Sequence, residues 1–378
     1  MLINSWDYYS QTVDRIYWTE DTGSSPIRRR VEDRLRRQYR SDGSPDAVLP
    51  VQSVVVGDIS SIPAEHLTAR TIVVRPDQRG DFGRCPGTHG HLCCNYLTLN
   101  VYLGCTLGCT YCIMQSYLRN RTLEIHLPGE STITRIRDLA RSNPQRTVRL
   151  GTGEVGDSLL YDPLFGISED LVARLGDIEN LRFELKTKTD FVDHLPDIGS
   201  PGAKGNTVIG FSVNPQEVID QEEGVAASLR DRLAAARRAA ERGYRLAFHF
   251  DPMIRVGPWK ELYAGVAELL ESFRDVRPEW ISLGTLRYPT GLKNHIEARP
   301  YSVHEFVSSG DGKMRYLQPL RAEMYRFMRR RLAEVLPETP VYLCMESATV
   351  WRTVTQGFSE VLPDLRSIMQ PVPIGVER

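Results

Sequence analysis

The sequence predicts an α/β protein whose core is a parallel β-sheet assembled from βαβ units, and three observations carry that expectation. From about residue 97 onward, six apolar strand-like runs recur: L-T-L-N-V-Y-L, T-V-R-L-G-T, L-R-F-E-L-K, T-V-I-G-F-S-V, R-L-A-F-H-F and W-I-S-L-G-T-L. Segments of helical periodicity separate them, clearest at 228–242, which ends at Gly243 as a stop signal, and at 263–274. Third, the chemically distinctive side chains sit just past the strand runs, where the chemistry of such a sheet collects. These are a cysteine loop, Gly151 to Glu154, Lys186 and Lys188, Ser212 and Asn214, and His249 with Asp251.

Taken in order, residues 1 to about 95 are heterogeneous. An arginine-rich segment at 28–40 reads as a helix with a basic face, and S-D-G-S-P after it reads as a break. The six βα units follow. Past about residue 287 the alternation stops, and V-H-E-F-V-S-S-G-D-G-K-M-R-Y places D-G-K between two strand-like halves, the signature of a β-hairpin at 310–313. An arginine-rich helix over 320–332 and a short strand V-Y-L-C-M come next, and the tail after Gly357 is irregular. No internal repeat or low-complexity segment interrupts the pattern.

A chain of 378 residues can bury a large core as one large domain or two medium ones. Its formal charge of -1 supplies no global attraction to nucleic acid or membrane, so any polyanion contact must come from a local patch. No run is long enough to span a bilayer, and the start M-L-I-N-S-W-D-Y-Y lacks the basic-then-apolar order of an export signal. Seven cysteines, an odd number, then point to a reducing cytoplasm and to metal chemistry over disulfides.

Cys105, Cys109 and Cys112 form the CxxxCxxC loop L-G-C-T-L-G-C-T-Y-C-I-M-Q just after the first strand run. Three thiolates so close in sequence can converge on three corners of a 4Fe-4S cluster, leaving the fourth iron without a protein ligand. An open iron can chelate the amino and carboxylate groups of S-adenosylmethionine (SAM), and an electron passed through the cluster can cleave the sulfonium to a 5'-deoxyadenosyl radical. Packed thiols, a disulfide or a zinc site are the other readings. Zinc sites more often pair CxxC with a distant CxxC or HxxxH, and neither pattern occurs.

Nine motifs in order resemble the spore photoproduct lyase family of radical SAM proteins over about residues 84–352. They are C-P-G-T-H-G-H-L-C-C-N-Y, G-C-T-L-G-C-T-Y-C-I-M-Q-S-Y-L, G-T-G-E-V-G-D-S-L, E-L-K-T-K-T-D-F-V-D, G-F-S-V-N-P, G-Y-R-L-A-F-H-F-D-P-M-I, L-G-T-L-R-Y-P, D-G-K-M-R-Y and V-Y-L-C-M-E-S. The resemblance implies a partial (β/α)6 TIM-like radical SAM barrel over 96–300, with an N-terminal extension over 1–95 and a C-terminal α+β segment with a β-hairpin over 301–378. It implies Cys105, Cys109 and Cys112 as ligands of the 4Fe-4S cluster, and Lys188 and Ser212 as contacts to SAM. Gly153 and Glu154 resemble the element that binds the methionine ammonium, a role suited to a carboxylate. Tyr111 would lie beside the cofactor, and Asn214 and His249 would help orient its ribose and base. An electron donor such as flavodoxin or ferredoxin is implied as a partner.

Family members that repair DNA extrude a thymine-dimer lesion from the duplex, because the radical cannot reach it in the stack. Lys313 and Arg315 on the hairpin and Arg326, Arg329, Arg330 and Arg331 on the late helix are candidate phosphate contacts, against the simpler reading of a solvated face. The chain also departs from the family. Its hydrogen-donating cysteine and relay tyrosine align near Gly151 and at Ile113, neither of which can donate hydrogen; Cys344 is the candidate substitute thiol. Cys85, Cys93 and Cys94 could hold a second cluster or supply sulfur, but a tight turn and packed thiols, with Cys93 and Cys94 pointing apart on extended chain, is the favoured reading.

The expected function is therefore a cytoplasmic radical SAM enzyme acting on a nucleotide-like substrate, with thymine-dimer lyase activity the reaction the family implies. A radical tailoring enzyme for a nucleoside or natural-product precursor is the enzymatic alternative. A non-catalytic iron–sulfur redox sensor that binds nucleic acid is the alternative from another class; the elements from Gly153 to Ser212 weigh against it, since a sensor needs no methionine clamp.

Overall fold

The six apolar runs all become strands of one sheet, and they do so in chain order. In the computed structural model, which describes residues 4–355 apart from 40–49, 79–80, 86, 88–90, 95, 117–121, 199–204, 293–295, 297–298 and 300–304, this sheet has eight strands. An edge strand Phe82–Arg84 is followed by β1 (Leu97–Leu99), β2 (Val148–Thr152), β3 (Leu181–Thr187), β4 (Thr207–Ser212), β5 (Arg245–Met253), β6 (Trp280–Thr285) and β7 (Val341–Leu343). Phe82–Arg84 runs antiparallel to β1, and every other neighbour pair is parallel. Parallel neighbours require crossovers, and strands that pair in chain order wind in one direction, as in a barrel. Among the described residues the ladder does not close.

The strands are buried along both faces: all six residues of β6 are buried. Crossover helices include Glu130–Arg141, Ile167–Leu175, Leu229–Glu241, Trp259–Leu270 and Gln318–Val335. Leu229–Glu241 starts on Ser228, whose Oγ accepts the Asp231 amide at 3.1 Å, and stops near Gly243 at φ 90°. Trp259, Tyr263, Val266, Ala267 and Leu270 put one face of the next helix into the core. Between β3 and β4 no helix occurs among the described residues.

Three features go beyond the sequence reading. The run L-T-L-N-V-Y-L splits: Leu97–Leu99 joins the large sheet, while Tyr102–Leu103 joins a second sheet ordered Gln52–Val56, Arg15–Thr19, Thr71–Pro76, Leu123–Leu127, Tyr102–Leu103. That five-stranded sheet organises much of the N-terminal stretch that looked merely heterogeneous. V-Y-L-C-M supplies β7, a seventh parallel strand beside β6. The hairpin does form, with Phe306–Ser308 antiparallel to Lys313–Tyr316 around Gly312 at φ 76°, and Arg287–Pro289 pairs on its other side.

Candidate functional site

A cavity of about 850 Å³ opens at the carboxyl ends of the strands, and all seven cysteines of the chain line it. Cys105, Cys109 and Cys112 come from the loop that follows Tyr102–Leu103. Gly104 and Gly108, at φ 91° and 77°, give that loop its tight path, which side chains with a Cβ rarely follow. Its outer side rests on the segment after helix Gln216–Glu222. The Thr110 amide donates to the Glu222 carbonyl at 2.8 Å and the Val225 amide to the Leu107 carbonyl at 2.9 Å. Gly224, at φ 55°, lies so close that a Cβ there would collide with the Leu107 carbonyl.

Below the loop lies a charge network that the sequence did not reveal. Lys188, just past β3, donates from Nζ to Ser212 Oγ at 2.7 Å, Tyr111 Oη at 3.0 Å and Glu223 Oε1 at 3.1 Å. Glu223 also accepts from Tyr111, from Asn214 Nδ2 at 2.9 Å and from the buried Arg232 at 2.5 Å. Burial would raise the Glu223 carboxyl, but Lys188 and Arg232 outweigh it and hold the group well below the ordinary carboxylate range. Burial and the Glu223 charge push the Tyr111 phenol well up. Lys188, Ser212 and Tyr111 reach the cavity wall, but Asn214 does not: it is fully buried, with its Oδ1 accepting from Tyr263 at 2.9 Å. Its amide is committed on both sides, so it positions Glu223 and does not face a ligand.

Past β2, Gly153 at φ 87° brings the chain against Lys186, whose Cβ and carbonyl would each lie 2.9 Å from an added Cβ. Glu154, next to it, accepts from Lys186 Nζ at 3.0 Å and from Tyr96 Oη at 3.0 Å, with Cys85 Sγ 3.6 Å from its other oxygen. Burial would raise Glu154; Lys186 outweighs it and keeps the group ionised. His249 on β5 lies at the wall between Ser282 Oγ at 2.6 Å and Glu184 Oε1 at 2.7 Å. Glu184 is buried too, yet His249 and its neighbours hold its carboxyl down to about 2.

The other four thiols line the same cavity. Cys344 follows β7, with Arg287 at 3.8 Å from its sulfur. Arg287 in turn holds Asp251 through a double contact of 3.0 and 3.2 Å. Burial first, then the Asp251 charge, push the Cys344 thiol well above its ordinary value. Burial and Glu154 push Cys85 up to about 12. Cys93 and Cys94 both line the cavity, with Cys93 Sγ against Gly87 and Cys94 near Arg149 and Tyr342. Gly151, on β2, is closed off: a Cβ would come within 2.8 Å of Tyr96 and 2.9 Å of the Glu184 carbonyl, so no side chain fits there without displacement. Ile113 lies at the wall in the short turn Ile113–Ser116.

Of the six candidate phosphate contacts, Arg326 and Arg330 are exposed on the late helix, while three others are engaged within the chain. Arg315 is buried against Asp311 at 2.5 Å and faces no solvent. Arg329 donates to the Val354 carbonyl at 3.1 Å, and Arg331 pairs with Glu268 and Glu334. Those three guanidiniums serve the fold. Glu184, Glu223, Arg232 and Arg287 were missed because a lone charged residue in a strand or loop gives no local signal of burial.

The spore photoproduct lyase family model matches residues 93–338. A spore photoproduct lyase of Geobacillus sp. (strain Y412MC61) is 26% identical over 253 residues, 63% of this chain and 73% of that protein. The one from Bacillus subtilis (strain 168) is 27% identical over 179 residues, 46% of this chain and 51% of that protein. Among solved structures, spore photoproduct lyase complexed with dinucleoside spore photoproduct matches with a TM-score of 0.70 and 21% identity, over 88% of this chain and 98% of that one. A double mutant with bound AdoMet and dinucleoside spore photoproduct matches with a TM-score of 0.68 and 21% identity, over 89% and 99%. The shared fold is an α/β fold whose sheet curls into a half-barrel.

Proposed function

Because the chain belongs to the spore photoproduct lyase family, we propose that it is a radical SAM enzyme that acts on a nucleotide-like lesion, the thymine spore photoproduct being the substrate the family implies. The observation that supports this most directly is the convergence on one cavity of the three CxxxCxxC thiols with Glu154, Lys188 and Ser212. The donor set fits the cofactors: three thiols on one short loop suit a 4Fe-4S cluster, and an ionised carboxylate, a lysine and a hydroxyl lining the same cavity suit the zwitterionic end of SAM. When bound, these groups supply a 5'-deoxyadenosyl radical that takes hydrogen from an unactivated carbon.

In this reading Cys105, Cys109 and Cys112 hold the cluster. Glu154 receives the methionine ammonium, and Gly153 lets the backbone pass close to it. Lys188 and Ser212 meet the carboxylate end, with Tyr111 and Glu223 fixing the lysine and Asn214 fixing Glu223. His249, anchored by Ser282 and Glu184, faces the nucleoside part. Cys344 is the hydrogen donor: its buried thiol keeps its proton and therefore has a hydrogen atom to give. This assignment accounts for the two departures, since the space at Gly151 is filled by Tyr96 and Glu184 and Ile113 has no labile hydrogen.

The finer architecture in this reading is the partial (β/α)6 barrel followed by an α+β segment with the hairpin. Ferredoxins or flavodoxins are the class of partner that would deliver the electron, and the cytoplasm is the compartment that would keep the thiols reduced. No helix among the described residues is long and apolar enough to cross a membrane. The test is anaerobic reconstitution with dithionite and SAM. The wild type should release 5'-deoxyadenosine, Cys109→Ala should not, and added dinucleoside spore photoproduct should return thymine monomers. No 5'-deoxyadenosine from the reconstituted wild type overturns the reading; 5'-deoxyadenosine without thymine turns it toward a tailoring reaction.

A further inference from the structure

Four thiols besides those of the CxxxCxxC loop line the cavity, and the backbone brings two of them out of the same short ladder. Glu346–Ser347 pairs antiparallel with His91–Leu92, Glu346 opposite Leu92 and Ser347 opposite His91. Cys344 lies two residues before Glu346 and Cys94 two residues after Leu92, so both leave the ladder at the same end. Both then line the cavity. Met345 between Cys344 and the ladder sits at φ 50°, a left-handed conformation rare for a side chain of its size, and it turns the chain at this point. Cys94 is among the charges that Cys344 feels, and Tyr342, on the strand that ends at Cys344, feels both sulfurs.

We propose that Cys94 and Cys344 form a redox-active thiol pair that closes to an intrachain disulfide in the cavity wall. The oxidant is of the small-molecule disulfide class. The Cys94 sulfur, as thiolate, attacks one sulfur of the oxidant and releases a thiolate. The Cys344 thiol passes its proton to the departed oxidant thiolate, and its sulfur then displaces the second oxidant thiolate from the mixed disulfide. One S–S bond is broken and one formed, two protons leave the pair, and the oxidant becomes two thiols. Only the consequence rests on the reading of Cys344 as hydrogen donor: in the disulfide it has no hydrogen to give, so an oxidised protein still generates the radical and fails to quench its substrate.

Cys85 is the internal control, because it lines the same cavity but lies outside the ladder, and Cys93, between Leu92 and Cys94, is the nearest competitor for either sulfur. The reconstituted holoprotein is poised anaerobically in graded mixtures of reduced and oxidised glutathione, alkylated, and mapped by peptide mass spectrometry. A Cys94–Cys344 crosslink should accumulate as the mixture becomes more oxidising, with Cys85 and Cys93 still alkylated. Cys94→Ser and Cys344→Ser should each abolish it, with far-UV circular dichroism confirming the fold of both. Full alkylation of Cys94 and Cys344 at the most oxidising poise, or a link from Cys94 to Cys85 or Cys93, overturns the proposal. Mapping needs neither SAM nor substrate, so this result stands or falls separately from the radical reading.

Discussion

Glu223 shows how a single buried charge governs the site. It is fully buried between two cations, Lys188 and Arg232, and also accepts from Tyr111 and Asn214. Removing one partner of a buried ion pair leaves the other charge uncompensated, so Glu223→Gln should destabilise the fold by about 3–5 kcal/mol, read as a lower urea midpoint. It should also free Lys188 to move, so SAM binding should weaken beyond what the stability loss explains. Glu184 makes a pH prediction. Its carboxyl is held down to about 2 against an ordinary 4.5, so its contribution is fully present above about pH 4.5 and is lost as the pH falls toward 2. Denaturant midpoints of the wild type should fall steeply through that window. Glu184→Gln should start lower at neutral pH and show a flatter decline; an equally steep decline would assign the acid sensitivity to other carboxylates.

The cysteine loop is an element whose shape depends on another element. Its own glycines give it curvature, but its position comes from the turn after helix Gln216–Glu222, through Thr110 to Glu222 and Val225 to Leu107. Gly224→Ala would set a Cβ against the Leu107 carbonyl at a left-handed φ of 55°. A substitution of this kind costs on the order of 1–3 kcal/mol and forces the loop outward. Iron retained after desalting should drop clearly, while the circular dichroism of the sheet stays; unchanged iron would mean the loop does not lean on this turn. This dependence also shows what was legible in the sequence. Strand runs, the helix stop at Gly243 and the D-G-K hairpin are local signals, written within a few residues, and apart from L-T-L-N-V-Y-L each formed where the pattern put it. Glu223 beside Lys188, Tyr96 filling the space over Gly151, and Cys94 and Cys344 lining one cavity join distant segments. No window of the chain contains both partners. The split of L-T-L-N-V-Y-L between two sheets was hidden for the same reason, because one apolar run can serve either sheet and only the partner strands decide.

That split ties the whole molecule together. Tyr102–Leu103 pairs with Leu123–Leu127 in the five-stranded sheet, and the next residue, Gly104, bridges to Gly156 after β2. The cysteine loop therefore starts at a seam between the two sheets. Across that seam, the helix Pro26–Tyr39 docks on the segment after β2: Arg30 meets Asp170 at 2.8 Å and Arg34 meets Glu169 at 2.8 Å. Trp18, fully buried in the strand Arg15–Thr19, places its ring 6.1 Å from that of Phe165 and donates from Nε1 to Ser53 Oγ at 3.0 Å. The ion pairs are partly exposed and contribute little each. The buried indole contributes more, and Trp18→Ala should destabilise by about 3–5 kcal/mol. If the sheets unfold as one unit, that loss reaches the loop. In metal-free protein, alkylation of Cys109 and Cys112, the half-buried thiols of the loop, should rise along the same urea curve as the loss of circular dichroism, and Trp18→Ala should shift both curves equally. Two separated transitions, with the loop thiols still protected after the first, would show instead that the large sheet holds the loop without help from the N-terminal one.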